Sequence, residues 1–346
     1  MSRSDGHITL FTRLITAPGA PDGSSRGPAV RGLTRVHDRA REAERVGIDA
    51  LLLHDRQSAA HDPAESPYFE AGTLAGALAV CTRTVGLVAA VSTEHALPYH
   101  LARTLATIDH FSAGRAGWQP ITVADPDASA NYSRSGSESA AGRRSRAEEF
   151  ITVLSGLWDS FEDDAFRRDR GSGVYFTPEK LHALDHRGPH FDVAGPLNIA
   201  RPPQGHPLLV HRPADADDLA FAARTADVVL LPAQDGQEAT RIRKSVRDQA
   251  RSAGRDADAI AVLLDWPVDG STDAARRLRR LFEAGAADGF TLLAPTGAAG
   301  PAHDAVLALA AEVRADEAPW TQTAPAGGTL RDRLALPRPA GRHRTA

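Results

Sequence analysis

The sequence predicts an α/β fold in which eight parallel strands close into a TIM-like (β/α)8 barrel, and three observations carry that prediction. Apolar runs of strand length alternate with stretches of helical period from one end of the 346 residues to the other. The runs are continuous in Val, Leu, Ile and Ala, as strands covered on both faces are, instead of alternating with polar residues. There are eight of each, a regularity that open doubly wound sheets rarely reach.

The elements follow in order. A first strand over 8–11 leads to a helix over 34–46, which Gly47 closes where a left-handed residue is wanted. Strand 50–53 precedes helix 69–82. Strand 85–92 precedes helix 98–111, whose Pro98 sits in a first turn that needs no N–H. Strand 116–122 precedes helix 145–158. Residues 160–205 then break the rhythm with a long excursion rich in Gly, Pro, His and Asp, in which 190–193 reads as a short extra strand. Strand 207–211 leads into helix 215–224 with Asp215 as N-cap, and strand 227–231 into helix 237–253, closed by Gly254. Strand 259–265 leads into helix 272–284 with Thr272 as N-cap and Gly285 at its end. Strand 289–294 and helix 303–314 complete the set. No long insertion separates the seventh and eighth strands. The division expected is one barrel domain over 1–320 and a C-terminal tail over 321–346, extended over the surface or making a contact between subunits.

Composition narrows the function classes. Forty Lys and Arg are scattered among 44 Asp and Glu, for a net charge of −4, so no basic footprint for nucleic acid is present. The single cysteine, Cys81, lies in an apolar helical run and reads as a core residue. No stretch approaches the roughly 20 apolar residues of a membrane span, and residues 1–7 are polar. A cytoplasmic protein is expected. Fourteen histidines suggest a metal, yet no H-x-H, H-E-x-x-H or Cys/His spacing occurs, and His182, His186 and His190 recur in a loop broken by Gly and Pro. No metal site is expected. Nor is there a G-x-S-x-G, a P-loop or a G-x-G-x-x-G.

In such a barrel the chemistry gathers at the C-terminal ends of the strands. The polar residues there are His54 and Asp55; Ser92, Thr93, Glu94 and His95; Gln119 and Thr122; His211, Arg212 and Asp215; and Asp265 with Trp266. They are either a binding rim or the polar residues that any strand end shows to water.

Three stretches carry a resemblance. PYHLARTLATIDHFSAGRAGW at 98–118 is long and specific. RAEEF at 146–150, LWDSFEDDAF at 157–166 and the following run to Gly205 form the second. GAADGFTLLAP at 285–295, with TLRDRLALPRP at 329–339, is the third. They lie between 98 and 339 of a chain that resembles the nitrilotriacetate and dibenzothiophene-sulfone monooxygenase branch of the luciferase-like flavoproteins. The resemblance implies a two-component oxidoreductase: a barrel that receives reduced FMN from a separate NADH-dependent flavin reductase and uses O2 to oxygenate a small organic substrate. A homo-oligomer is expected. Flavin chemistry also accounts for the lack of an acid/base dyad, because the cofactor activates oxygen and the protein positions it.

Asp55 and Thr93 keep the residue types of the family's flavin contacts. Asn131 matches a family asparagine, and Trp118–Gln119 stands for a W-N pair after the fourth strand. With Thr122, Arg144 and Arg212 these give the expected cofactor-binding set Asp55, Thr93, Gln119, Thr122, Arg144 and Arg212. The departures concern the phosphate. The family's small A-G-S-S turn after the fifth strand becomes Arg212, Pro213, Ala214 and Asp215. Proline removes a donor, both hydroxyls are gone, and Asp215 repels an anion. A His and a Tyr before the R-A-E-E-F run become Ala140 and Arg144. Arg144 or Arg212 then stands as the replacement phosphate ligand. The family's lid between the seventh and eighth strands is missing. Two alternatives stay open: a non-catalytic barrel serving in a companion or regulatory role beside a flavoprotein partner, and a deazaflavin-dependent oxidoreductase.

Overall fold

The computed structural model describes residues 7–14, 28–54, 57–58, 69–132, 139–232, 235–295, 299–315 and 328–343. Eight strands close a parallel barrel: β1 (Thr9–Arg13), β2 (Ala50–Leu53), β3 (Gly86–Ser92), β4 (Ala116–Ile121), β7 (Leu208–His211), β8 (Val228–Leu231), β9 (Ala261–Pro267) and β10 (Gly289–Leu293), with β10 pairing back onto β1. Between β4 and β7, the short β5 (His186–Arg187) and β6 (Asp192–Val193) form a separate two-stranded sheet. All eight barrel strands coincide with the apolar runs to within about two residues. The helices outside them are α1 (Pro28–Arg45), α2 (Ala71–Cys81), α3 (Pro98–Phe111), the short α4 (Pro126–Ser129), α5 (Ala140–Trp158), α6 (Ala216–Thr225), α7 (Gly236–Ser252), α8 (Ala274–Glu283) and α9 (Ala299–Ala315).

Side chains alternate across each strand, and burial separates the two faces. Phe11, Ala50, Leu52, Val88, Leu208, Val210, Val228, Leu230, Ala261 and Leu263 pack together inside the bore. Leu10, Leu51, Leu87, Trp118, Leu209, Val229, Leu264 and Phe290 face outward against the helices. This double burial is why the strands read as unbroken apolar runs. Gly289 is forced by the closure itself, because a Cβ there would collide with the backbone oxygen of Thr9 on the neighbouring strand.

The bottom of the bore is plugged by the described part of the C-terminal stretch. Thr329 caps the short helix α10 (Leu330–Arg333) with a reciprocal capping box through Asp332. Leu330, Leu334 and Leu336 complete the inner cluster. Arg331 fixes the plug with paired bonds to Asp227, at 2.6 and 3.0 Å, and a third to the carbonyl of His206 at 2.9 Å.

Several local expectations hold. Gly47, Gly254 and Gly285 take φ of 82°, 77° and 69° at helix ends, Pro98 opens α3, and Asp215 caps α6. Others need correction. The helices expected over 34–46 and 303–314 begin earlier, at Pro28 and Ala299. Thr272 is not the N-cap of α8: Asp273 is, and its side chain makes no cap bond, because the hydroxyl of Ser271 engages it at 2.6 Å. The helix expected over 145–158 begins five residues earlier, where Ser139 accepts from the N–H of Gly142. The extra strand expected over 190–193 is shorter, β6 alone, pairing antiparallel with β5. Glu149 of α5 holds that hairpin, accepting from the His186 ring and from the N–H groups of His190 and Phe191. Burial alone would raise its pKa, and these three donors together bring it below the ordinary range. Among the described residues no helix is long and apolar enough to cross a membrane, and no group of three or more His, Cys, Asp or Glu is arranged to hold a metal ion.

Candidate functional site at the barrel mouth

The parity that fills the bore with Phe11, Leu52, Val210 and Leu263 turns Arg13, His54, Ser92, Gln119, Arg212, Asp265 and Thr291 inward at or near the strands' C-terminal ends. Sequence alone marks residues as strand-end without saying which share a face. The inner ring singles out two that sequence reasoning passes over, Arg13 and Thr291. Both follow once the phase of each apolar run is fixed.

His54 is half-buried and makes no hydrogen bond among the described residues. Burial pushes its pKa down to about 3, assisted by the positive charges of Arg13 and Arg212, so the imidazole is neutral at any working pH. Arg212 turns into the bore and pairs with Asp265 of β9. Asp265 and Thr291 are register partners on β9 and β10, and the Asp265 Oδ1 and Thr291 Oγ1 atoms are both buried without a hydrogen-bond partner. Orphaned polar atoms buried at the mouth of the bore are costly unless water or a ligand meets them.

The other expected residues are dispersed. Asp55 lies outside the described residues. Thr93 is 2% exposed at the end of β3, its hydroxyl 3.5 Å from the carbonyl of Ile121 and its own carbonyl accepting from Arg146 Nε at 3.1 Å. Arg146, which sequence reasoning missed, also stacks its guanidinium on Phe191, 4.3 Å from the ring centre. Thr122 contributes its carbonyl to Arg143 Nε at 2.9 Å. Gln119 is buried on the inner face of β4, whereas its neighbour Trp118 faces outward onto Phe150. Asn131 donates to the carbonyl of Gln57 at 3.0 Å, and His95 stacks on Tyr132 with ring centres 4.4 Å apart. His211 is on the outer face, buried, and hydrogen-bonded to Asp218 at 3.0 Å. Arg144 lies apart from the inner ring. It spans from α5 to the start of α6, pairing with Asp215 at 3.5 Å and Asp217 at 3.1 Å.

The same geometry tests the mouth against a flavin mononucleotide. Unpartnered acceptors and a neutral imidazole suit the uncharged, hydrogen-bonding edge of a flavin ring. Among the described residues the phosphate finds no such fit at the starts of α2, α6 and α7. Helix starts at the mouth are the natural anion sites of a barrel. Here Glu70 caps α2, Asp215 caps α6 and Asp235 caps α7, each accepting from the first-turn N–H groups that a phosphate would use. Arg212 is committed to Asp265, and Arg144 to Asp215 and Asp217.

Comparison with known proteins places this barrel. N-acetyl-S-(2-succino)cysteine monooxygenase of Bacillus subtilis (strain 168) is 37% identical over 265 residues, 76% of this chain but only 59% of that protein. Two different subunits of the pristinamycin IIA synthase of Streptomyces pristinaespiralis also match. One is 39% identical over 92% of this chain and 94% of its own length, and the other is 32% identical over 79% and 64%. Apart from the first of these two synthase subunits, the chain therefore spans only about half to two thirds of these relatives. Among solved structures, the EDTA monooxygenase (EmoA) from Chelativorans sp. BNC1 superposes with a TM-score of 0.79 at 25% identity, covering 96% of this chain and 98% of that one. The family profile described as luciferase-like monooxygenase matches residues 11–332, and the chain belongs to that family.

Proposed function

We propose that the chain is the oxygenase component of a two-component flavin-dependent monooxygenase, working in the cytoplasm on a small organic substrate. A separate NADH-dependent flavin reductase supplies its reduced flavin. Bound in the mouth, the flavin supplies the activation of O2. The observation that carries this reading is the inner ring of a luciferase-like barrel, in which the neutral His54 and the unpartnered Asp265 Oδ1 and Thr291 Oγ1 face one apolar bore. These residues position and hydrogen-bond, which suits chemistry carried by a cofactor.

The test is anaerobic titration of the full chain with reduced flavin, followed by an 18O2 pulse with small organic sulfides, amines and cyclic alkenes. Binding at micromolar flavin and 18O in an organic product are expected. Absence of binding up to millimolar flavin overturns the reading.

The occurrence of a shorter and a longer relative in one synthase favours a second reading, a barrel that works as the shorter partner in a mixed oligomer with a longer relative. Light scattering on the chain alone and after co-expression with such a relative separates this from a homo-oligomer.

A further inference from the structure

We propose that the mouth of this barrel holds a flavin by its ring alone, so that riboflavin binds at least as well as FMN. The proposal deepens the flavin-dependent reading above and rests on it.

The gap between the starts of α5 and α6 is where the family resemblance puts the phosphate ligands, at 140–144 and 212–215, and in this chain the gap is closed by the protein's own charges. From α5, Ser139 is spent on the N–H of Gly142, Arg143 reaches the carbonyl of Thr122, and Arg144 crosses to Asp215 and Asp217. From α6, Asp215 accepts from the N–H of Asp218 at 2.8 Å. Asp218 accepts from the N–H of Ala214 at 2.9 Å and from His211 at 3.0 Å. Pro213 has no N–H to offer. Three carboxylates thus stand within four residues of a helix start, and two of them already hold the guanidinium of Arg144. Burial tends to raise the Asp218 carboxyl, but His211, the N–H of Ala214 and the charge of Arg144 together bring it below the ordinary range. A dianion entering this corner meets the carboxylates of Asp215, Asp217 and Asp218 and must break the Arg144 pairs to reach that guanidinium. The ring edge, by contrast, has the unpartnered atoms of β9 and β10 within the bore.

The experiment compares riboflavin with FMN by calorimetry and fluorescence quenching on the full chain, at low and moderate salt. Riboflavin is expected to bind as tightly as FMN or up to about tenfold tighter, with the difference shrinking as salt rises. A double substitution, Asp215→Ser with Asp217→Ser, keeps a capping hydroxyl on α6. It is expected to shift the ratio of the two Kd values at least about tenfold toward FMN. Arg144→Ala shifts it the other way. FMN binding tenfold more tightly than riboflavin in the native chain overturns the proposal while leaving flavin dependence intact, and so does a double variant with an unchanged ratio. If neither flavin binds, flavin dependence itself falls and takes this proposal with it.

Discussion

Lowering the pH from 7 to 5 sets the folded chain against its own His54. In the unfolded chain the imidazole titrates near its ordinary 6.5, while in the barrel mouth burial and the charges of Arg13 and Arg212 hold it down to about 3. Between those two values the unfolded state binds a proton that the folded state refuses, so stability falls as the pH falls across that window. Full neutrality in the fold is matched above 6.5 and the loss is complete below about 3. Integrating from pH 7 to 5 gives about 2 kcal/mol, because the unfolded imidazole is then almost fully charged and the folded one is not. For a chain of this size that corresponds to a drop in Tm of about 3 °C. The measurement is a thermal melt of the native chain and of His54→Gln at both pH values. Carboxylate contributions are common to the two proteins and cancel in the difference. The native chain is expected to lose about 2 kcal/mol more than the variant. Equal losses would mean that His54 protonates freely, with water reaching it and the two arginines too far to matter, and the account of a dry, polar-ringed mouth would be refuted.

Other perturbations probe the parts that hold the mouth in shape. Arg331→Ala takes the paired guanidinium from the partly buried Asp227, leaving it the N–H of Leu209, and should cost about 1–3 kcal/mol, read as a lower melting temperature. Leu330→Ala opens a void in the barrel floor and should cost about 2–5 kcal/mol, without changing the flavin ratio at the opposite end. Gly289→Ala drives a methyl into the Thr9 backbone and should destabilise by at least about 1–3 kcal/mol; a neutral result would show that β1 and β10 are not paired as described. Glu149→Ala removes the acceptor of three hydrogen bonds on the hairpin and should speed protease cleavage across 186–193 while the barrel core resists.

The architecture was legible because each strand is buried on both faces, so its composition alone marks it. Runs such as 228–231 and 289–293 have no polar face to disguise them. Helix starts were legible where the cap acts within its own turn, as Asp215 does on the N–H of Asp218, and failed where a neighbour diverts the capping side chain, as Ser271 diverts Asp273. The C-terminal stretch, by composition a run of turn-forming residues, carries three leucines spaced to enter the bore, and only the closed barrel shows what they are for.

The site divides along the same line between local and distant information. Sequence places Arg144 and Arg212 near a phosphate corner that has lost its usual ligands, and both look like replacements. Whether an arginine is available to a ligand depends on which carboxylate it already holds. Arg144 is 73 residues from Asp217 and Arg212 is 53 from Asp265, separations across which no spacing rule operates. Folding brings each pair together before any ligand arrives, and an anion must then compete with a carboxylate fixed a few ångströms away. Where the resemblance puts a hydroxyl-bearing turn, this chain carries Asp215, which with Asp217 forms an internal ion pair to Arg144 that joins α5 to α6. On the proposal that the mouth holds a flavin by its ring, that ion pair is what keeps the two helix starts together without a phosphate between them.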